Sequence, residues 1–284
     1  MAVFYNQATL TYNNTQVNSN IVSGEIVQVI TAQKNALTET YTPSDVITYA
    51  VSITNSGATA FTNLTITDDL GRFTLGQLTL TPLDYVEGSL RLFIDGVLSQ
   101  TPTVTAADAL VISGINVPAG SNALLIYQAR INSVAPLDTG ATITNTATVS
   151  GGGLSAPVSD SATVSVSTDA ILGISKSLSP TVVAENEPLT YTFVVQNTGN
   201  TAAVATDNVT ITDTFDPILA NISVTLDGVA LTEGVDYTYD AVTGAFSTTP
   251  SRITVPAATF TTDPVTGQTV ITPGVAVLRV TGTV

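Results

Sequence analysis

Ser44-Asp45-Val46-Ile47-Thr48-Tyr49, running on to Ile53-Thr54-Asn55-Ser56-Gly57, returns further along the chain as Glu187-Pro188-Leu189-Thr190-Tyr191 running to Val195-Gln196-Asn197-Thr198-Gly199. Each stretch alternates apolar with polar or β-branched residues and ends in Asn-x-Gly, which is how a half-buried strand closing into a turn is written. Working outward, a lysine precedes both at the same spacing, Lys34 and Lys176. After them come Leu64-Thr65-Ile66-Thr67-Asp68 and Val209-Thr210-Ile211-Thr212-Asp213, displaced only by a short insertion. Leu92-Phe93-Ile94-Asp95-Gly96-Val97 pairs with Val224-Thr225-Leu226-Asp227-Gly228-Val229, an Asp-Gly hairpin turn in each copy. Val117-Pro118-Ala119-Gly120 pairs in sequence with Ile271-Thr272-Pro273-Gly274. The chain is an internal repeat of strands, and helix signals are nearly absent.

The copies then part. The first continues into Ile143-Thr144-Asn145-Thr146-Ala147-Thr148-Val149 and Ser161-Ala162-Thr163-Val164-Ser165-Val166, whereas the second reaches Val284 without them. The missing pattern stands at the other end: Phe4-Tyr5-Asn6-Gln7-Ala8-Thr9-Leu10 matches the Asn145 strand, and Glu25-Ile26-Val27-Gln28-Val29 matches the strand after it. A sandwich lacking these strands exposes unpaired backbone beside an open apolar face, a state proteins avoid. The expected organisation is therefore a donor hairpin over residues 1–33, a complete all-β sandwich over 34–168 and an incomplete acceptor sandwich over 169–284. Phe4, Ala8, Leu10, Ile26, Val27 and Val29 are the expected donor-strand residues. Two fillings are open: the hairpin folds back along its own chain past the first domain, with little linker before Lys34, or it enters the next copy. Head to tail, the second contact does not close on itself and yields a filament.

Composition removes most other functions. The 284 residues carry a net charge of −15, with no Cys and no His. Nucleic acid and anionic membrane surfaces need clustered Lys and Arg and are not expected partners. Disulfides, thiol nucleophiles, His-based acid–base chemistry and zinc sites with N or S ligands are impossible. No stretch approaches the length of a membrane span, and the first residues lack a basic or apolar leader, so the expectation is a soluble chain whose export signal is missing, removed or not used. Carboxylates stand singly in turns, so a hydrolase using paired acids has no support. Asp207, Asp213 and Asp216 offer oxygen ligands to calcium but lack the spacing of a calcium loop, and no cofactor or metal is expected. Asn13, Asn63, Asn208 and Asn221 begin Asn-x-Ser/Thr triplets that arise by chance in such a composition. Tyr5, Tyr12, Tyr49, Tyr127, Tyr191, Tyr237 and Tyr239 read as core or interface aromatics, with carbohydrate binding as the alternative.

The phrases Leu189 to Asn200, Val209 to Asp213 and Ile143 to Val149 resemble the tandem-repeat modules of bacterial surface proteins grouped as domain of unknown function eleven. The resemblance spans nearly the whole chain and departs from the family in its permuted ends. It implies an immunoglobulin-like sandwich serving as stalk, adhesin or surface fibre, extracellular and without enzymatic activity. The chain's expected partner is itself, as a pilus, surface fibre or spore appendage; the alternative is a monomeric adhesin or stalk module.

Lys34 and Lys176 are the only lysines, at one repeat position. The chain is similar in residue types to Gram-positive surface sandwiches in which a buried Lys amine attacks an Asn side-chain amide. That chemistry needs a desolvated amine, an adjacent carboxamide and a carboxyl group to carry protons. Lys34, Asn145 and Asp68 form the intramolecular candidate set. Lys176, Asn6 and Asp213 form the intermolecular one, since Asn6 lies on the donor hairpin. The plainer reading makes the lysines solvated strand-end residues and the Asn and Asp turn residues and loop caps; Asn55 and Asn197 are expected as turn residues in either case.

Overall fold

A computed structural model describes residues 2–284, and among these every regular element is a β-strand apart from one short 3-10 turn at Ala205–Asp207. β-branched and aromatic residues at every second position make this the expected outcome, because such side chains fit a pleated surface with one face buried. The chain divides into two compact units, one of residues up to Pro136 with Thr142–Ser165, the other of Leu137–Ala141 with Val166–Val284.

The first unit is a sandwich of two antiparallel sheets. One runs, in spatial order, Val97–Leu98, Arg91–Ile94, Asn122–Ile131, Val46–Asn55 and Ile30–Ala36, with Leu83–Tyr85 also pairing to Asn122–Ile131. The other runs Thr103–Ala106, Leu110–Val117, Phe61–Asp68, Thr142–Gly151, Val158–Val166 and Thr40–Tyr41. Alternation settles which face is inside. Ile47, Tyr49, Val51 and Ile53 point into the core from one sheet, and Ile143, Ala147 and Val149 from the other. On the outer face of the second sheet, Thr144–Thr163, Thr146–Ser161 and Thr148–Ser159 form a ladder of hydroxyl pairs. This solvated face explains why these strands are so rich in Thr and Ser.

The second unit repeats the first sheet: Leu172–Ser179, Pro188–Asn197, Gly274–Thr283, Ala220–Leu226 and Val229–Ala230. Its facing sheet has three strands, Thr212–Thr214, Ala245–Thr248 and Tyr237–Tyr239. The Asp-Gly turns fall where expected, with positive φ at Asp95, Gly96, Asp227 and Gly228, as a two-residue hairpin requires. Asn55 and Asn197 are fully buried clamps in both units. Asn55 Nδ2 donates to the carbonyls of Thr59 and Pro118, and Asn197 Nδ2 to those of Thr201 and Pro256. Gly199 lies so close to the Asp169 carbonyl that a Cβ there would stand 2.1 Å from it, so the turn after Asn197 admits only glycine.

The same clamp corrects one sequence pairing. Pro256, rather than the turn at Ile271–Pro273, is the counterpart of Pro118, and the hairpin Thr259–Thr262 with Thr269–Thr272 is inserted after it. A Thr-rich hairpin has the same alternation as its neighbours, which is why sequence alone slid past it.

The N-terminal segment forms a hairpin of its own. Ala2–Asn6 pairs with Val22–Ile26, and Thr9–Tyr12 with Thr15–Asn18, around a left-handed turn at Asn13 and Asn14. Residues 27–29 join it to Ile30.

Candidate functional site

In the first unit, Lys34 occupies an inward position on the edge strand of its sheet, and Asp68 ends a central strand of the facing sheet. Both side chains are fully buried, and Lys34 Nζ makes an ion pair with Asp68 Oδ2 across the interior. The ammonium also lies over the rings of Tyr49 (4.9 Å) and Tyr127 (5.9 Å), which stack on each other at 5.6 Å. Burial pulls the Lys34 amine below the ordinary lysine value, and the Asp68 carboxylate pulls it back up. An isolated charge would not survive here; a paired one resting on two aromatic faces does.

Asp68 is held from two more directions. Its Oδ1 accepts the Leu70 backbone N–H at 3.0 Å, and its Oδ2 also accepts the Tyr127 hydroxyl. Tyr127 Oη in turn accepts from Asn145 Nδ2 at 3.5 Å. Asn145 is fully buried, and among the described residues its Oδ1, like the hydroxyl of Tyr49, has no hydrogen-bond partner. Burial, and then the charge of Asp68, holds the Tyr127 phenol well above its usual value, so it remains a neutral hydroxyl. Lys34, Asp68, Tyr127 and Asn145 thus form one chain of buried polar groups.

Sequence reasoning grouped Lys34, Asp68 and Asn145, and the structure brings all three into this chain. It does so between the two sheets, Lys34 from one and Asp68 and Asn145 from the other. Tyr127 was read as a core or interface aromatic, with carbohydrate binding as the alternative, and not as a member of this group. The signal that separates it lies in the repeat: Tyr127 pairs in register with Tyr49, while its counterpart facing Tyr191 is Val280.

In the second unit Lys176 pairs with Asp213, and its Nζ lies over Tyr191 (4.4 Å), Phe193 (5.4 Å) and Phe215 (5.5 Å). Phe215 stacks on Tyr191 at 5.0 Å, where the first unit has Tyr127 on Tyr49. The surroundings differ. Lys34 has a fully buried side chain, whereas that of Lys176 is 39% exposed. At the Asn55 or Asn197 pairing itself the contrast continues: Ile30 is 1% exposed, but Leu172 at the same register is 40% exposed, and Ile174 two residues on is 61% exposed. In the first unit the Asp68 strand is paired on both sides; in the second, among the described residues, the Asp213 strand pairs only with Ala245–Thr248. Among the described residues no strand fills the place held in the first unit by Thr142–Gly151, and no Asn faces Lys176.

The hairpin carries the complementary surface. Register sets Ala2 opposite Ile26, Phe4 opposite Gly24 and Asn6 opposite Val22 in one ladder, and Leu10 opposite Val17 in the next. Phe4, Leu10, Val17, Val22 and Ile26 are all 42% exposed or more. Phe4 lies across Gly24, which has no side chain to displace it. Pairing of Asn6 with Val22 mirrors that of Asn145 with Ala162, and Phe4 with Gly24 mirrors Ile143 with Val164. Val27 is exposed and outside the strands, while Val29 packs at Gly57 and its carbonyl accepts the Ser56 N–H, so Val29 is tied to the first unit. Asn6 and Lys176 lie in different units, and the structure describes each in its own.

Among the described residues no three acidic side chains gather to hold a metal, and no helix is long and apolar enough to cross a membrane.

What fold and site define together is an all-β, two-sheet sandwich protein with a buried Lys–Asp–Tyr–Asn chain in its first unit. No family model matches the chain, and no curated relative does. Among solved structures it is similar to the major pilin subunit BcpA of Bacillus cereus, at 9% identity over 94% of this chain and 70% of that one, with a TM-score of 0.39. It is also similar to the pilus backbone of Streptococcus pneumoniae (10% identity, 86% and 55% covered, TM-score 0.34). A collagen-binding domain from a Staphylococcus aureus adhesin matches at 11% identity, 50% and 99% covered, with a TM-score of 0.30.

Proposed function

We propose that this chain is a structural, non-enzymatic subunit of an extracellular bacterial filament, a pilus, surface fibre or spore appendage. Copies join head to tail when the N-terminal hairpin of one enters the open edge beside Asp213 of the next. The observation that carries this reading is the pairing of an uncovered apolar hairpin with an uncovered apolar edge of the same pattern. A two-stranded ribbon is marginal in water without a layer to pack on, and a row of exposed Phe, Leu, Val and Ile marks a surface that is covered in use. Set beside Asp213 as Asn145 is set beside Asp68, the hairpin would cover Leu172, Ile174 and Lys176 and bring Asn6 to the lysine.

Geometry within the first unit supports transfer to a neighbour. The hairpin is tethered where Val29 and Gln28 bond to Ser56 and Ala156, at the end of the unit where Val158–Val166 begins. The chain leaves toward the second unit at Val166, the other end of that strand, about 27 Å away at the usual rise per residue. Residues 27–29 span at most about 11 Å. A contact made head to tail in this way is heterologous and propagates.

The lysines would then lock the fibre. Lys34 with Asn145 and Asp68 would form an isopeptide bond inside the first unit, and Lys176 with Asn6 and Asp213 one between copies. Intact mass and a boiled denaturing gel test both: a ladder of multiples, lighter by one ammonia per bond and containing a Lys176–Asn6 cross-linked peptide, is expected. Removing residues 1–26 should leave a folded chain that does not polymerise, and continued polymerisation of that truncation would refute hairpin donation.

A further inference from the structure

We infer that Tyr127 is the proton relay of the Lys34–Asn145 bond-forming site, linking the acid that deprotonates Lys34 to the nitrogen that must leave Asn145. The inference rests on the reading that this bond forms, and assigns a role to a residue which that reading does not need. Its basis is position. Tyr127 Oη touches both Asp68 Oδ2 and Asn145 Nδ2, and the carboxylate oxygen it bonds is the one that holds Lys34 Nζ. Asp68 has no hydrogen bond to Asn145; its other oxygen is taken by the Leu70 N–H. The hydroxyl is therefore the bridge by which a proton from Lys34 reaches the amide nitrogen among these buried groups.

The step balances. Lys34 Nζ passes one proton to Asp68 Oδ2 and attacks Asn145 Cγ. Asp68 gives that proton to Tyr127 Oη as Tyr127 gives its own to Asn145 Nδ2, so both resting hydrogen bonds reverse. The Cγ–Nδ2 bond breaks, ammonia leaves, and the second proton shed by Nζ comes to rest on Asp68. One C–N bond forms and one breaks, nothing is oxidised, and Tyr127 is unchanged. Its phenol stays protonated far above neutral pH, as a relay requires.

The second unit supplies the contrast. Val280 stands at the register of Tyr127, and the ring stacked on Tyr191 is Phe215, so the aromatic packing is kept and the hydroxyl is lost. The relay belongs to the first unit alone.

The test follows one ammonia's mass lost from the full chain after pulsed cell-free synthesis. Tyr127→Phe keeps the ring and removes the bridge; bond formation should slow by about 100-fold or more, the scale of a lost acid–base group. Fluorotyrosine at 127 leaves packing in place and guards against a folding defect, and there the rate should change with phenol acidity. Bonding of Tyr127→Phe at the wild-type rate, or a rate indifferent to fluorination, overturns the relay while leaving the bond. A wild-type chain that never loses ammonia overturns both.

Discussion

Lys34→Ala asks the most of the structure. The substitution leaves Asp68 buried with the Tyr127 hydroxyl and Leu70 N–H but no countercharge, and breaking a buried pair on one side costs about 3–5 kcal/mol. It also prevents the isopeptide bond, whose loop of on the order of 100 residues is worth about 4–5 kcal/mol by the chain-entropy estimate for cross-links. Asn145→Ala separates the two contributions. It too prevents the bond, but leaves the ion pair intact and removes only a 3.5 Å hydrogen bond. The variants should therefore differ chiefly by the ion pair, together with the lysine's contacts on the Tyr49 and Tyr127 rings. For a unit of this size, 1 kcal/mol moves the melting temperature by about 4 °C, so Lys34→Ala should melt about 12–20 °C below Asn145→Ala. Calorimetry following the transition of the first unit reads this directly. Adding Asp68→Asn to Lys34→Ala should recover most of the gap, because a neutral amide needs no countercharge. Melting of the two single variants within a few degrees of each other would refute the claim that Asp68 depends on Lys34.

Three other expectations follow from the same geometry. Leu10→Asp, on an exposed hairpin position, should leave the monomer's melting temperature within about 2 °C of wild type while stopping assembly, read by light scattering; loss of monomer stability would show that the hairpin already packs within its own copy. Ile174→Asp should do the same from the acceptor side, and a mixture of the two variants should form dimers that grow no further only if each surface is used once per contact. Alkaline pH should unfold the first unit early. Burial pushes the Tyr41 phenol up to about 12 and raises Tyr49 and Tyr127, whereas unfolded tyrosines ionise near 10, so the unfolded chain sheds protons first and stability falls as pH rises from about 10 toward 12. A melting temperature flat across that range in a pH series would contradict the burial of these hydroxyls.

Much of this was legible before any coordinates. Asn-x-Gly, Asp-Gly and the two lysines recur at fixed spacing because strand alternation and turn conformation are local properties, set by residues a few positions apart. The grouping of Lys34, Asp68 and Asn145 came from the lysines' shared repeat position and from the resemblance in residue types to surface sandwiches that join Lys to Asn. Tyr127 was not legible as a participant. Its alternation marks it as core, and only the closure of one sheet over the other decides that its hydroxyl, rather than that of Tyr49, touches Asp68. The insertion after Pro256 was hidden for the opposite reason: its strands obey the same local rules as the strands it interrupts.

The sequence by itself determined an all-β repeat, the turns that punctuate it, and a chemistry limited to amines, amides, hydroxyls and carboxylates, because composition and short-range pattern are enough for those. Tertiary structure alone decided that Lys34 is sealed while Lys176, at the same repeat position, is open. Burial is a sum over strands distant in the chain, and the strand that seals Lys34 has no counterpart over Lys176 among the described residues.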